Sequence, residues 1–221
     1  MFAIIQAAGW PIWPLLLASV LTLAFVIERA IFLRRPRIAP PKLLDDVLGY
    51  TRRQTMAPSA VQALSHNSLL GQVLAGGLQA HAQSWINDEA RQQGVRQGFE
   101  RAGRDAIAAM ERYLGALGTL ASAAPLLGLL GTVIGMIEIF TAQGAMGSSP
   151  AQLASGIAVA LYNTALGLLV AIPALVAHRY FRARVNGFIA ELENASERLY
   201  QQLMLHSPEP AVSVRPAAPA A

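Results

Sequence analysis

Between Tyr113 and Ala177 the chain carries a single charged residue, Glu138. A water-soluble core in a chain of 221 residues cannot absorb that much uninterrupted apolar surface. The stretch divides into two segments, about Leu114–Phe140 and Ser155–Ala177. Each exceeds the roughly 20 residues that cross about 30 Å of hydrocarbon at a rise of about 1.5 Å per residue. A third apolar run, Trp10 to Ile27, ends at Glu28-Arg29 and is followed by Arg34, Arg35 and Arg37. The fold expected is therefore all-α, a polytopic membrane protein with three transmembrane helices. Composition agrees: 54% of the residues are hydrophobic and 14% charged, against about 25% charged in an average soluble domain.

The positions of the charges set the orientation. All 17 Lys and Arg fall in two blocks, Arg29 to Arg112 and Arg179 to Arg215. Basic loops stay on the cytoplasmic side, so the N-terminus is expected to be periplasmic and the C-terminus cytoplasmic, in a bacterial inner membrane. The same placement argues against a nucleic-acid partner, although the net charge is +4; the bilayer is the partner it implies. A cleaved leader would carry its basic residues before the apolar run, whereas here they follow it. Trp10 and Trp13 suit the interface at the outer end of span one. There is no cysteine, hence neither a disulfide framework nor a thiolate site.

The resulting organisation is a periplasmic N-terminus (1–9), span one (10–27), a cytoplasmic helical region (28–112), span two (113–140), a periplasmic loop (141–154), span three (155–177), a cytoplasmic helix (178–206) and a tail rich in proline and alanine (207–221) expected to lack structure. Within the cytoplasmic region, Arg34 to Pro41 reads as a connector. Leu43 to Tyr50 and Ala60 to Ala82 read as amphipathic helices, with Gly76-Gly77 a turn signal or helix break. Asp88 to Tyr113 has a helical apolar pattern that Asn87 or Asp88 could cap. Gly94, Gly98 and Gly103 weaken it. No proline interrupts it before Pro125, so it is expected to run straight into span two. Arg179 to Leu205 likewise continues span three, with Val185, Phe188, Ile189, Leu192, Leu199 and Leu203 on one side. Helices two and three thus extend into the cytoplasm.

Both later spans carry stripes of small residues. Gly128, Gly131, Thr132 and Gly135 form one; Gly156, Ala160, Asn163, Thr164, Gly167, Ala171 and Ala174 form the other. Such faces let backbones approach closely, which accounts for the glycines by helix packing alone. It accounts less well for Asn163 beside Thr164, because an amide in hydrocarbon needs a partner or water. Glu138 reads either as a proton-relay acid or as a carboxylate within a turn of the outer end that reaches water, and its position favours the second. Pro125 and Pro173 each remove one helical hydrogen bond. His66, His81, His178 and His206 are scattered with no metal-ligand spacing, and read as isolated surface residues. No nucleophile elbow or phosphate-binding loop is present, so neither an enzyme, a metal site nor a cofactor is expected.

Residues 125–136, Pro-Leu-Leu-Gly-Leu-Leu-Gly-Thr-Val-Ile-Gly-Met, and 160–174, Ala-Leu-Tyr-Asn-Thr-Ala-Leu-Gly-Leu-Leu-Val-Ala-Ile-Pro-Ala, resemble the second- and third-span motifs of the MotA/TolQ/ExbB proton channel family. Ile27-Glu28-Arg29 fits its first span. Three spans favour the ExbB and TolQ branches over MotA. The resemblance implies a homo-oligomeric ring, a pentamer, around the spans of a dimeric ExbD-like partner whose aspartate carries the proton. A TonB-like protein then delivers work to outer-membrane transport. The resemblance places Thr132 and Thr164, with Asn163, on the proton pathway. The lack of a central acid in these spans agrees with one supplied by a partner. The chain departs from some relatives at Val159, where they have a glutamate. Two alternatives stay open: a TolQ-like motor serving envelope maintenance, and a non-conducting scaffold that oligomerises through its small-residue faces.

Overall fold

The computed structural model describes residues 10–53, 56–83, 85–143 and 150–205. The expected N-terminal segment 1–9, the centre of the loop 141–154 and the tail 207–221 lie outside them. All regular structure among the described residues is helical: α1 (Ile12–Phe32), α2 (Arg35–Ile38), α3 (Leu43–Thr51), α4 (Pro58–Asn67), α5 (Leu69–His81), α6 (Asp88–Glu111), α7 (Leu114–Gln143) and α8 (Pro150–Leu205). Three of them, α1, α7 and α8, hold stretches long and apolar enough to cross a membrane. The chain forms two compact units, Met1–Ile38 with Asp105–Ala190, and Ala39–Arg104 with Glu191–Ala221.

In the first unit α1 starts at Pro11, with Pro14 in its first turn, where a missing N–H costs nothing. Its buried stripe is Ile12, Leu15, Ala18, Thr22 and Arg29, spaced to fall on one helical face. The opposite side leaves Trp13, Leu17, Val20 and Leu23 exposed. Ala18 meets Ala124 of α7 and Val170 and Ala171 of α8, with Leu120 against them. The three spans thus touch through alanines and one valine, and small side chains are what lets helices pack where lipid supplies no hydrophobic drive. Pro125 and Pro173 sit inside continuous helices.

The expected straight run from Asp88 into span two is broken. α6 stops at Glu111 and α7 starts at Leu114. Between them Tyr113 adopts φ 63°, the left-handed region that a tyrosine rarely visits. Propensity does not explain this; tertiary contacts do. The Tyr113 ring stacks on Phe25 at 5.2 Å and 13°. Arg29, 1% exposed, donates from Nη1 to the carbonyls of Ala109 at 3.2 Å and Met110 at 3.0 Å. These are last-turn carbonyls that lack an intrahelical partner and attract a cation. Glu28 accepts from the same guanidinium at 2.7 Å, and the Phe32 ring lies 4.7 Å from it. A left-handed residue costs about 1–2 kcal/mol, and a hydrogen bond to a charged group contributes about 1.5–3 kcal/mol, so one guanidinium is enough to hold the break.

In the second unit the segment expected as one helix from Ala60 to Ala82 is two. The break is at Ser68, whose Oγ accepts from the Gly71 amide at 3.0 Å and caps α5. Asn87 caps α6 in the same way, its Oδ1 accepting from Ala90 at 2.7 Å. Gly76-Gly77, expected as a turn or break, lies inside α5. The pair is a packing surface. A Cβ on Gly76 would stand 2.7 Å from Ala102 Cβ and 2.9 Å from the Gly98 carbonyl, and one on Gly77 would strike the Phe99 ring. Gly94, read as a weak point of α6, lies under the Trp85 indole. The connector after span one includes the short helix α2. Gln202 of α8 donates to the Leu48 carbonyl at 2.7 Å and to Thr51 Oγ1 at 2.6 Å, holding the end of α3.

His81 is half-buried rather than a surface residue, and its pKa is lowered, first by burial and then by the Arg91 charge, against a smaller opposing hydrogen bond that the ring donates to the Leu203 backbone. Below the ordinary histidine value of about 6.5 the unfolded chain takes up a proton that the folded unit resists. Stability of this unit is therefore fully present above that value and falls as pH drops towards the lower folded value. Hydrogen-exchange protection factors of the α5 amides, corrected for the intrinsic slowing of exchange at lower pH, should fall between pH 7.5 and 5.5, and by less in His81→Gln. For the first unit, Arg29→Ala should cost about 2–3 kcal/mol in denaturant unfolding of the purified protein. Arg29→Lys should recover less than half, because an ammonium has no planar fork.

Candidate functional site

The two motif-bearing segments face one another. Gly128 and Gly131 of α7 and Asn163, Gly167, Ala171 and Ala174 of α8 are buried, so the small-residue stripes are used first to join these two helices of one chain. At Gly128 an added Cβ would stand 2.8 Å from the Asn163 carbonyl oxygen and 3.1 Å from Thr164 Cα. At Gly167 it would stand 2.7 Å from the Ala124 carbonyl oxygen and 3.0 Å from Gly128 Cα. Backbone meets backbone at this crossing, so a side chain at either glycine would force the helices apart. Gly131 makes room for the Asn163 side chain, a Cβ there lying 2.8 Å from Asn163 Cβ. Gly156 accommodates Ile139, at 2.5 Å by the same measure, while Gly135 has only ordinary contact with Ala160 at 3.4 Å.

The two threonines lie at the rim of this crossing, both half-buried. Thr164 Oγ1 donates to the Gly128 carbonyl at 3.4 Å, across the helices. Thr132, one turn further along α7, donates to the Leu129 carbonyl of its own helix at 2.7 Å. A hydroxyl whose proton is held by a carbonyl still offers lone pairs. Each can therefore accept a hydrogen bond from water or from a protonated carboxyl, without bearing charge. Asn163 is more deeply placed, 2% exposed. Glu138 is exposed, near the end of α7, and carries no ion pair among the described residues. The Val159 side chain lies outside the described residues. Among the described residues no three His, Cys, Asp or Glu side chains gather in a way that could hold a metal ion.

One polar group within the spans escaped the sequence reading, and one just past the end of span three was misread. Thr22 of α1 is buried, and its hydroxyl has no hydrogen-bond partner among the described residues; its place on the stripe of Ile12, Leu15 and Ala18 was the available signal. His178, expected at the surface, is half-buried and its Nδ1 donates to the Leu114 carbonyl at 2.9 Å. That bond ties the basic end of the α8 apolar run to the first residue of α7. Its signal was position: the histidine follows directly on the last apolar residue, Ala177.

Comparison with known proteins agrees with the geometry. The family model described as the MotA/TolQ/ExbB proton channel family matches residues 65–194. The chain is 30% identical over 204 residues to an ExbB-like biopolymer transport protein of Synechocystis, covering 89% of this chain and 93% of that one. It is 30% identical over 200 residues to the biopolymer transport protein ExbB of Salmonella typhimurium, 87% and 79% of the two chains. The Tol-Pal system protein TolQ of Haemophilus influenzae is 40% identical over 89 residues, 40% and 39% of the two. The matched region contains the glycine crossing and both threonines, and the chain belongs to the MotA/TolQ/ExbB proton channel family.

Proposed function

We propose that this chain is the ring-forming subunit of a proton-driven motor in the inner membrane, with its N-terminus periplasmic and its C-terminus cytoplasmic. A pentameric ring encloses the spans of an ExbD-like dimer. Protons cross between ring and partner, and a TonB-like protein carries the work to outer-membrane transport. The observation that carries this reading is the pair of half-buried threonine hydroxyls at the α7–α8 crossing, in spans whose interiors hold no carboxylate of their own. Thr132 and Thr164 line the pathway, and Asn163 stands behind them against Gly131. The acid that takes and releases the proton comes from the partner. Relatives named ExbB-like or ExbB that align along most of the chain support the ExbB-like reading, and the TolQ relative, aligned over 40% of it, keeps envelope maintenance as the alternative. Glu138, exposed near the helix end, has no part in the relay. The energy scale suffices: one proton crossing 100 mV releases about 2.3 kcal/mol.

The purified chain alone in liposomes should conduct protons poorly, and adding the single-span partner should raise flux. Thr132→Ala with Thr164→Ala should leave the ring intact by native mass spectrometry and lower partner-dependent flux by about tenfold or more, the scale of one lost hydrogen bond. Strong conductance by the chain alone, or unchanged flux in the double variant, would favour the scaffold reading.

A further inference from the structure

A cavity of about 520 Å³ opens between α7 and α8 at the basic end of the third span. Gly118 and Ser122 line it from α7; Leu175, His178, Arg179, Arg182 and Asn186 line it from α8. The α8 positions 175, 179, 182 and 186 step by four, three and four, which keeps them on one helical stripe. No acidic side chain is among the lining residues.

The cations here differ from their neighbour. Arg184 is engaged, its Nη1 donating to Tyr180 Oη at 3.0 Å and its guanidinium lying 5.7 Å from the Phe188 ring. Arg179 and Arg182, both exposed, have no ion pair or hydrogen bond with any described residue. His178 is held at the wall by its bond to Leu114. Gly118 leaves space for that ring, since a Cβ there would stand 3.1 Å from its Cε1. Two open guanidinium forks with a serine and an asparagine match a phosphate ester, which takes paired N–H donors and further hydrogen bonds on its oxygens.

The surroundings choose the source of the phosphate. Leu175 belongs to the cavity wall, and Leu168 and Leu161 follow it at seven-residue intervals along the apolar helix, all three exposed. The cavity thus sits where the apolar run ends, with a greasy stripe leading from it into the span. A free phosphate ion would use the first feature and leave the second idle; an amphiphile uses both. The geometry points to a binding site for an anionic phospholipid, its phosphodiester between Arg179 and Arg182 and an acyl chain along Leu175, Leu168 and Leu161. Basic pockets between spanning helices are suited to such headgroups. The site stands whether or not the chain moves protons.

The test uses the full chain in a neutral detergent, titrated with dioleoyl phosphatidylglycerol, dioleoyl phosphatidylcholine or inorganic phosphate. Bound lipid is counted by native mass spectrometry and thermal stability is read in parallel. Phosphatidylglycerol should bind and raise the melting temperature, phosphatidylcholine should do neither, and millimolar inorganic phosphate should not displace the lipid. The double variant Arg179→Gln with Arg182→Gln should weaken phosphatidylglycerol by about tenfold or more, while Arg184→Gln should not. Both targeted arginines are exposed, so helical content and oligomer size should match the parent. Equal binding of the two lipids, full binding by the double variant, or displacement by inorganic phosphate would each overturn the assignment.

Discussion

Close backbone contact at Gly128 and Gly167 is the constraint on which the membrane-embedded part depends. Lipid tails are as apolar as leucine, so nothing squeezes two spanning helices together as water would. What remains is dispersion, which falls off within an ångström of contact, and weak polar bonds. Both require the axes to come near. With Gly128 Cα beside the place where a Gly167 Cβ would stand, Thr164 can reach the Gly128 carbonyl and Asn163 can be buried against Gly131. The hydroxyls at the rim are therefore positioned by the absence of side chains beneath them.

The second fixed point is the junction at Tyr113. A helix could pass through this sequence, since nothing in the composition of residues 108–118 forbids it. Arg29 makes the break favourable by satisfying two carbonyls that an unbroken helix would have used internally, and Phe25 gives the displaced ring a partner. Both come from α1, so span one decides where α6 ends. A buried cation of this kind is costly unless its donors are used; here Nη1 meets two carbonyls, and Nη2 and Nε meet Glu28.

Legibility followed the physics of each signal. The spans were readable because hydrophobic length and the placement of arginines are properties of composition, and the glycine stripes because helical period is fixed. The partner of those stripes was not readable. A small-residue face is equally suited to another helix of the same chain or to a neighbouring copy, and only the structure brings Gly128 against Asn163. The break at Tyr113 was hidden because its cause, Arg29, lies 80 residues from Ala109 in the chain. Gly76-Gly77 and Gly94 were misread for a related reason: propensity penalises a helical glycine, and a ring seated on it, Phe99 or Trp85, outweighs the penalty. Ser68 stood in plain view as a capping residue, but lay within a pattern whose period continued across it.

A chain whose spans lack a central carboxylate can still belong to a proton-driven machine, and the electrostatics favour that arrangement. An ionisable group buried within a rigid crossing would have to be desolvated in every copy at once, at a cost of several kcal/mol each. Hydroxyls avoid the cost, since they exchange hydrogen bonds without changing charge. If the titrating acid is placed on a separate element, only the copy it faces at a given moment bears its field. Its neutralisation then becomes coupled to its position against the hydroxyls. Rim placement of Thr132 and Thr164, half-buried and already satisfied as donors, suits them to receive such a group as acceptors while the glycine crossing behind them stays fixed.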